Sequence, residues 1–573
     1  MASRPGGQAA GASEPVTVGI VAINDFHGAL EPPKQSVFVP SGKGPTPTDP
    51  SGTVGVPAGG AAWLASAIDS VRAKYPYNVT VSAGDMISAS QIASSIYLDE
   101  PAIGVMNRIG VDFNAVGNHE FDRGPEELRR MQNGGCEQYT SRKPCQLERF
   151  AGAKFKYLAA STKTADGHTL FPATGLKSFG EGTRKVTIGF IGLTLKGTPD
   201  LVSADRIKGL TFADEADTIN AAIPALKAQG ADAIVVLIHQ GGKTDEFSNV
   251  SGCQTLKGEI TGILDRLDTR VDVVVSGHTH WPYVCDYGTL NRAKPFLLTS
   301  AGVYGELVTD ITLSIDPSAH RVVGKRAVNI VVQSQPYTAS RGPVPNNDVV
   351  PRFAPRADIS AYVARYVDAA KAFSERPIGK LSAAAQRRDI GNADYGGPAG
   401  NLIADAQLAA TVGAGAQISF MNPFGIRAPV VPAADGSVTF GMIYQTQPFN
   451  NDLVTFTLSG AELKAVLEQS FFDSGPEQFL TPSLGFSYTV DRKAPVGSRV
   501  LAMTLHGKPI DPAADYRVTV STFLASGGDG FSAFDKQRNV VRGPTDIEAL
   551  EAWIKAVPVR QVPTESRVFE AKR

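Results

Sequence analysis

Five short apolar runs, each breaking off into a cluster of acidic, amide or imidazole side chains, constrain this chain more than any other feature. VTVGIVAI from Val16 leads into Asn24-Asp25-Phe26-His27, and NVTVSAG from Asn78 closes on Gly84 with Asp85 directly after it. Phe113 to Val116 leads into Gly117-Asn118-His119-Glu120-Phe121-Asp122, AIVVLIH from Ala233 into His239-Gln240-Gly241-Gly242, and VDVVVSG from Val271 into Gly277-His278-Thr279-His280. Runs this short and apolar, joined by VTIGFIGL from Val186, read as strands covered on both faces. Helical segments lie between them, one around Trp63, Ala67, Ile68 and Val71. The pattern predicts an α/β layered domain, and in such sheets ligands gather at the carboxyl ends of strands, so the five clusters are expected to converge.

Spacing refines the expectation. Asp25 and His27 are two apart, as are His278 and His280, so in extended chain each pair points one way. That suits two ligands of one centre or one ligand each for neighbouring centres. Adjacent Asn118 and His119 should point apart, one toward a metal and one toward substrate. His119 and Asp122 are three apart, close enough for the carboxylate to fix an imidazole tautomer. The donors Asp25, His27, Asp85, Asn118, His239, His278 and His280 form a nitrogen–oxygen set without sulfur, which suits Zn, Mn, Fe or Co better than Ca. Seven donors exceed one tetrahedral site. Two metals bridged by a carboxylate would use them all, and Asp85 is the natural bridge.

Singly these residues have ordinary explanations: a strand-end Asp is commonly a helix N-cap, and a lone His is commonly structural. Together they hold five of the chain's eight histidines, leaving His168, His320 and His506 as surface or structural residues. Convergence of titratable and ligating groups on that scale is what an active site requires.

The 573-residue chain carries 55 Lys+Arg against 56 Asp+Glu, a net charge of -1 that removes the electrostatic footprint of a nucleic-acid polymer binder. No apolar run approaches the roughly 20 residues of a membrane-spanning helix. Residues 1–15 are polar and Gly/Ala/Pro-rich, without the apolar segment of a signal peptide, and read as a flexible tail. The stretch from Pro40 to Pro57 reads as a surface loop. A proline-crowded segment from Gln333 to Pro355 reads as a linker. Asp358 then N-caps a helix with Ile359, Val363, Tyr366, Val367, Ala370 and Phe373 on one stripe. A new α/β unit follows, with a helix near Asn401 and strands near Gln417, Leu453 and Tyr516. The division is 1–15 tail, 16–340 first domain, 341–376 linker and connecting helix, and 377–573 second domain. The four cysteines fall in two local pairs, Cys136 with Cys145 and Cys253 with Cys285, which fits two disulfides and an oxidising compartment; four unrelated buried thiols are the alternative.

NDFHG, AGD, GNHEFD, HQGG and GHTH, in this order, resemble the calcineurin-like metallophosphatase domain, and with the C-terminal half the chain resembles the 5'-nucleotidase family from Val16 onward. The resemblance implies a four-layer αββα domain plus a smaller α/β substrate-binding domain joined by a helix. It implies one metal held by Asp25, His27, Asp85 and His280, a second held by Asp85, Asn118, His239 and His278, and His119 as catalytic histidine oriented by Asp122. Some family members carry Gln where this chain has His280. GNLIADA at Gly400, MNPFGIR at Met421, QPFNN at Gln447 and FLASGGDGF at Phe523 match the nucleotide-binding domain. The match implies that Asn422 and Arg427 contact substrate, with the arginine on phosphate. Phe449 and Phe523 sandwich the base, and Asp529 accepts from the ribose hydroxyls. Two departures stand out: Pro423-Phe424 replaces the usual glycines, and the further phosphate arginine expected before GNLIADA falls on Arg387 or Arg388, of which Arg388 is favoured, upstream of a longer insert.

The implied activity is a dinuclear-metal 5'-nucleotidase, with two divalent ions as cofactors, a nucleotide as partner, a monomeric or dimeric state and an extracytoplasmic location. Metals in one domain and a base pocket in the other imply rotation between open and closed states. The same fold also serves UDP-sugar or dinucleotide pyrophosphatases and 2',3'-cyclic phosphodiesterases with 3'-nucleotidase activity. A non-catalytic nucleotide-binding or surface interaction protein is the alternative of another class.

Overall fold

The apolar runs divide between two six-stranded sheets. The computed structural model describes residues 14–45, 51–140, 142–245, 248–339, 342–387, 397–471 and 478–571. In the first sheet Val16–Ile23, Asn78–Ser82, Phe113–Ala115 and Lys156–Leu158 run parallel, and the antiparallel pair Leu307–Asp316 and Arg321–Val331 extends the Val16 edge. In the second, Val186–Thr194, Ala233–His239, Val273–Ser276 and Leu297–Ala301 are parallel, with antiparallel strands Thr174–Phe179 and Pro282–Asp286 at the edges.

Strand alternation explains the layering. Val18, Ile20 and Ala22 join Val235, Leu237 and Val275 in the core between the sheets. Val21 and Ile23 face the opposite way, beneath helices Ala61–Arg72 and Glu100–Ile109. Ile234, Val236 and Ile238 pack instead under helix Glu215–Ala228. The period of two therefore gives each strand two buried faces, and the result is helix, sheet, sheet, helix. Register brings the site together: Ile23 pairs with Ser82 and Ile238 with Ser276, so in each sheet the polar clusters leave their strands at one level.

The C-terminal domain holds a mixed five-stranded sheet, Thr481–Pro482, Ile418–Met421, Asp515–Ser521, Asp452–Ser459 and Arg538–Thr545, beside helix Pro398–Thr411. A second sheet pairs Phe486–Val490 with Val500–Leu505 and Val568–Glu570. Both cysteine pairs are disulfides, Cys136–Cys145 and Cys253–Cys285. Among the described residues no helix is long and apolar enough to cross a membrane.

Three sequence expectations need correction. The Pro40–Pro57 stretch contains a strand, Thr53–Pro57, paired with Ser36–Pro40, because Val37, Val39 and Val56 bury against Leu307 and Val331. The connecting helix spans Ala357–Ser374 with Arg356, not Asp358, at the N-cap; Asp358 instead pairs with Arg356 Nε at 2.8 Å. Phe373 is 52% exposed, and the buried face also includes Tyr362, seated where Gly104 leaves room. That glycine admits the phenol because a Cβ there would come within 2.0 Å of the Tyr362 hydroxyl.

Candidate metal centre and active site

Two clusters of ligating atoms form at the strand ends: Asp25, His27 and His280 in one, Asp85, His239 and His278 in the other. His27 Nε2 lies 3.2 Å from His280 Nε2, and Asp25 Oδ1 lies 3.4 Å from the latter. His239 Nε2 lies 2.9 Å from Asp85 Oδ2, and the same oxygen is 3.7 Å from His27 Nε2. Asp85 therefore faces both clusters, as a bridge must. Asn118 Oδ1 is 3.1 Å from both His239 Nε2 and His278 Nδ1. His278 and His280, two apart in sequence, serve different clusters.

The backbone reaches this arrangement in an unexpected way. The Asp25–His27 and His278–His280 segments are not extended: these four residues and Asp85 have φ between 46° and 69°. Non-glycine residues rarely occupy that left-handed region, and they persist there when the surroundings hold them. Asp25 N bonds Gly84 O at 3.0 Å, His27 N bonds Asp85 O at 3.0 Å, and His278 N donates to Asp25 Oδ2 at 2.9 Å. Gly117 is required by close approach, since a Cβ there would lie 2.1 Å from Asp85 Oδ1.

A surrounding layer of polar groups sets tautomers and carboxylate directions. His27 Nδ1 faces Ser88 O at 2.9 Å and His239 Nδ1 faces Ala83 O at 2.8 Å, so each Nδ1–H donates to a carbonyl and Nε2 is left to bind. Asn24 donates to Asp25 Oδ2 at 2.8 Å and to Gly302 O. Glu120 accepts from the amides of Asp85, Met86 and Gly117 at 2.7–2.9 Å. Burial, followed by the charge of Asp85, pushes the Glu120 carboxyl up to about 8. Asn24 and Glu120 sit inside the NDFH and GNHEFD motifs, but adjacency alone does not separate a holder from a ligand.

Burial depresses His27 and His278 to about 3, which keeps both imidazoles neutral and able to coordinate. Burial opposes ionisation of Asp85, yet His239 and His119 hold it well below the usual carboxylate range. His119 turns away from Asn118, its Nδ1 2.8 Å from Asp122 Oδ2. Burial lowers its proton affinity, but Asp122 and then Asp85 carry it above the ordinary histidine value.

The C-terminal domain reaches this centre. The Phe449 ring stacks on His119 with centroids 5.8 Å apart, and the Arg427 guanidinium lies 5.7 Å from the Phe449 centroid. Arg427 Nη2 is buried without a hydrogen-bond partner among the described residues. Asn422 Nδ2 donates to Asp529 Oδ2 at 2.7 Å, and burial pushes the Asp529 carboxyl up to about 6. Pro423-Phe424 forms a single 3-10 turn with Gly425 before Arg427. Phe523 packs beside Gly528 against the C-terminal core. Arg388 lies outside the described residues. His168 and His506 are exposed, and His320 Nδ1 pairs with Asp232 at 2.7 Å at the surface.

Paired buried donor clusters on a two-sheet sandwich, met by an arginine and an aromatic ring from a second domain, define a phosphoester-hydrolase site. Residues 19–282 match the calcineurin-like phosphoesterase family and residues 367–536 match the 5'-nucleotidase C-terminal domain. The chain belongs to the family of metal-dependent phosphoesterases that joins these two domains. It is 54% identical over 167 residues, 29% of its length, to an uncharacterized protein in the pqq-V 5' region of Acinetobacter calcoaceticus, covering 79% of that protein. It is 28% identical over 95% of its length to the endonuclease YhcR of Bacillus subtilis, of which it spans 40%. The fold is similar to that of a 5'-nucleotidase precursor from Thermus thermophilus, with a TM-score of 0.72 and 24% identity, covering 97% of this chain and 100% of that one.

Proposed function

We propose that the protein is a dinuclear-metal hydrolase that releases phosphate from nucleoside 5'-monophosphates. The observation that carries this reading is Asp85 between two donor clusters, with Phe449 stacked on His119 and Arg427 against the Phe449 ring. The donors suit two first-row divalent ions, Zn, Mn, Fe or Co: they are nitrogen and oxygen atoms without sulfur, and the imidazoles whose Nδ1 is tied to a carbonyl turn a bare Nε2 inward. Asp25, His27, Asp85 and His280 would hold one ion, and Asp85, Asn118, His239 and His278 the other. Bound there, the ions supply Lewis acidity toward phosphate oxygens and raise the acidity of water.

The chain's own groups do the rest. His119, whose proton affinity Asp122 raises, would as an imidazolium place positive charge where charge develops on the transferred phosphoryl group. Arg427, with an unpartnered buried Nη2, has a free donor for a phosphate oxygen. Phe449 and Phe523 offer faces to a base, and the Asp529 carboxylate suits a ribose diol; Asn422 orients Asp529. Arg388 is proposed as a second phosphate contact. We divide the chain into a metal domain, 16–340, and a substrate domain, 377–573. The disulfides favour an extracytoplasmic location.

The test is phosphate release from AMP by Mn- or Zn-loaded protein beside an EDTA-treated sample and His119→Ala. Release that requires both metal and His119 supports the reading, and silence on AMP overturns it. The likeness to YhcR over nearly the whole chain favours a second reading, phosphodiester cleavage, which bis(p-nitrophenyl) phosphate tests in parallel.

A further inference from the structure

A polar relay crosses the domain boundary beneath the active site. Asp99 is fully buried at the start of helix Glu100–Ile109. Its Oδ2 accepts from Arg123 Nη1 at 2.6 Å and from Ser88 N at 3.1 Å. Ser88 O is the acceptor that fixes the His27 ring, and Arg123 directly follows Asp122, which orients His119. On its other side Arg123 Nη2 lies 3.3 Å from Ser95 Oγ, and Ser95 Oγ lies 2.6 Å from the Tyr444 hydroxyl. Tyr444 belongs to the C-terminal domain, on helix Phe440–Thr446, and its hydroxyl donates to Pro448 O at 3.1 Å. Pro448 immediately precedes Phe449, the ring stacked on His119.

The direction of the relay is fixed at both ends. Arginine only donates and a carbonyl only accepts, and each hydroxyl between them has one proton. The chain must therefore run from Arg123 to Ser95 to Tyr444 to Pro448. Ser95 is 3% exposed and Tyr444 1%, so bulk water has little access to their bond and a broken link leaves a buried polar group unpaired.

We propose that Tyr444, held by Ser95, is a positioning residue that sets Phe449 over His119 and so couples substrate-base binding to the metal domain. This rests on the reading of Phe449 as a base-stacking face. Tyr444 touches neither substrate nor metal; it acts through the Pro448–Phe449 backbone. The link joins the two domains on the same Asp99–Arg123 pair that supports His27 and neighbours the His119–Asp122 pair, so displacement of Phe449 is felt as lost nucleotide binding before lost chemistry.

The experiment compares AMP with p-nitrophenyl phosphate, a phosphoester with no base, in wild type, Tyr444→Phe, Ser95→Ala and the double variant, all as metal-loaded full chains. Expected is a KM for AMP raised roughly five- to tenfold in each single variant and no further in the double, with kcat on p-nitrophenyl phosphate within about twofold of wild type. An unchanged KM for AMP, or an equal loss on both esters, overturns the proposal. Wild-type protein silent on AMP but active on p-nitrophenyl phosphate defeats the nucleotide reading instead. In that event a double-mutant cycle in thermal unfolding still decides the bond, because additive destabilisation by the two variants means that Ser95 and Tyr444 are not coupled.

Discussion

Phe449 of the C-terminal domain lies flat against His119 of the metal domain, with ring planes 13° apart. The two residues are 330 positions apart in sequence. This places the ring proposed to stack a base beside the histidine proposed to face the phosphate, so the site is assembled between two domains.

Phe449→Ala is expected to raise the KM for AMP by roughly tenfold or more, since stacking of a base on an aromatic ring contributes about 1–3 kcal/mol. Initial-rate kinetics on AMP, with p-nitrophenyl phosphate as the ester lacking a base, measure this directly. Equal effects on both esters would assign Phe449 to packing.

Asp85 and His280 should differ in what they remove. Asp85 faces both clusters whereas His280 belongs to one. Elemental analysis after dialysis is expected to find about two ions in wild type, about one in His280→Ala and fewer than one in Asp85→Asn. Two retained ions in Asp85→Asn would remove Asp85 from the bridging role.

The His119–Asp122 pair predicts an alkaline limb in the pH–rate profile. Asp122 raises the proton affinity of His119, so the imidazolium persists above the ordinary histidine value and is lost as pH rises further. In Asp122→Asn that limb should move to lower pH, with kcat reduced by roughly ten- to hundredfold. A limb that stays in place would mean that another group controls it.

Far from the centre, Glu551 ties helix Asp546–Lys555 to the end of the connecting segment through both oxygens on Arg376, and also accepts from Lys555. The Arg376 hydrogen bond, with help from Lys555, holds its carboxyl at about 2. Because the folded value lies below the unfolded one, the pair stabilises the protein above about pH 4.5, and that contribution is lost as pH falls toward about 2. With solvent screening, Glu551→Gln is expected to cost about 1 kcal/mol at neutral pH. Denaturant melts of the two proteins should converge on acidification; a gap that persists at low pH would assign the loss to packing.

Much of the site was legible because metal ligation demands particular residue types at strand ends. His239 with Gly241 and Gly242, and the His119–Asp122 spacing, were informative only as members of the five-cluster set, since each alone has an ordinary explanation. The holders were not legible. Glu120 and Asn24 carry the same side-chain chemistry as ligands, and only the amides and carbonyls they contact show that they orient Asp85 and Asp25. Nor could the buried face of the connecting helix be read to the residue: Tyr362 is buried because Gly104 in a neighbouring helix leaves room for its ring, whereas Phe373 near the helix end is exposed.

Sequence by itself determined which groups this protein brings to the candidate site: a sulfur-free set of seven proposed donors, a paired histidine and aspartate, and a second domain with an arginine and aromatic rings. Local pattern suffices for that, because a strand's period and a motif's spacing are properties of neighbours along the chain. Tertiary structure alone decided how they meet. The split into two sheets, the left-handed turns at Asp25, His27, Asp85, His278 and His280, and the stacking of Phe449 on His119 all depend on groups far apart in sequence. Burial and hydrogen bonding across that distance supply the free energy that holds them.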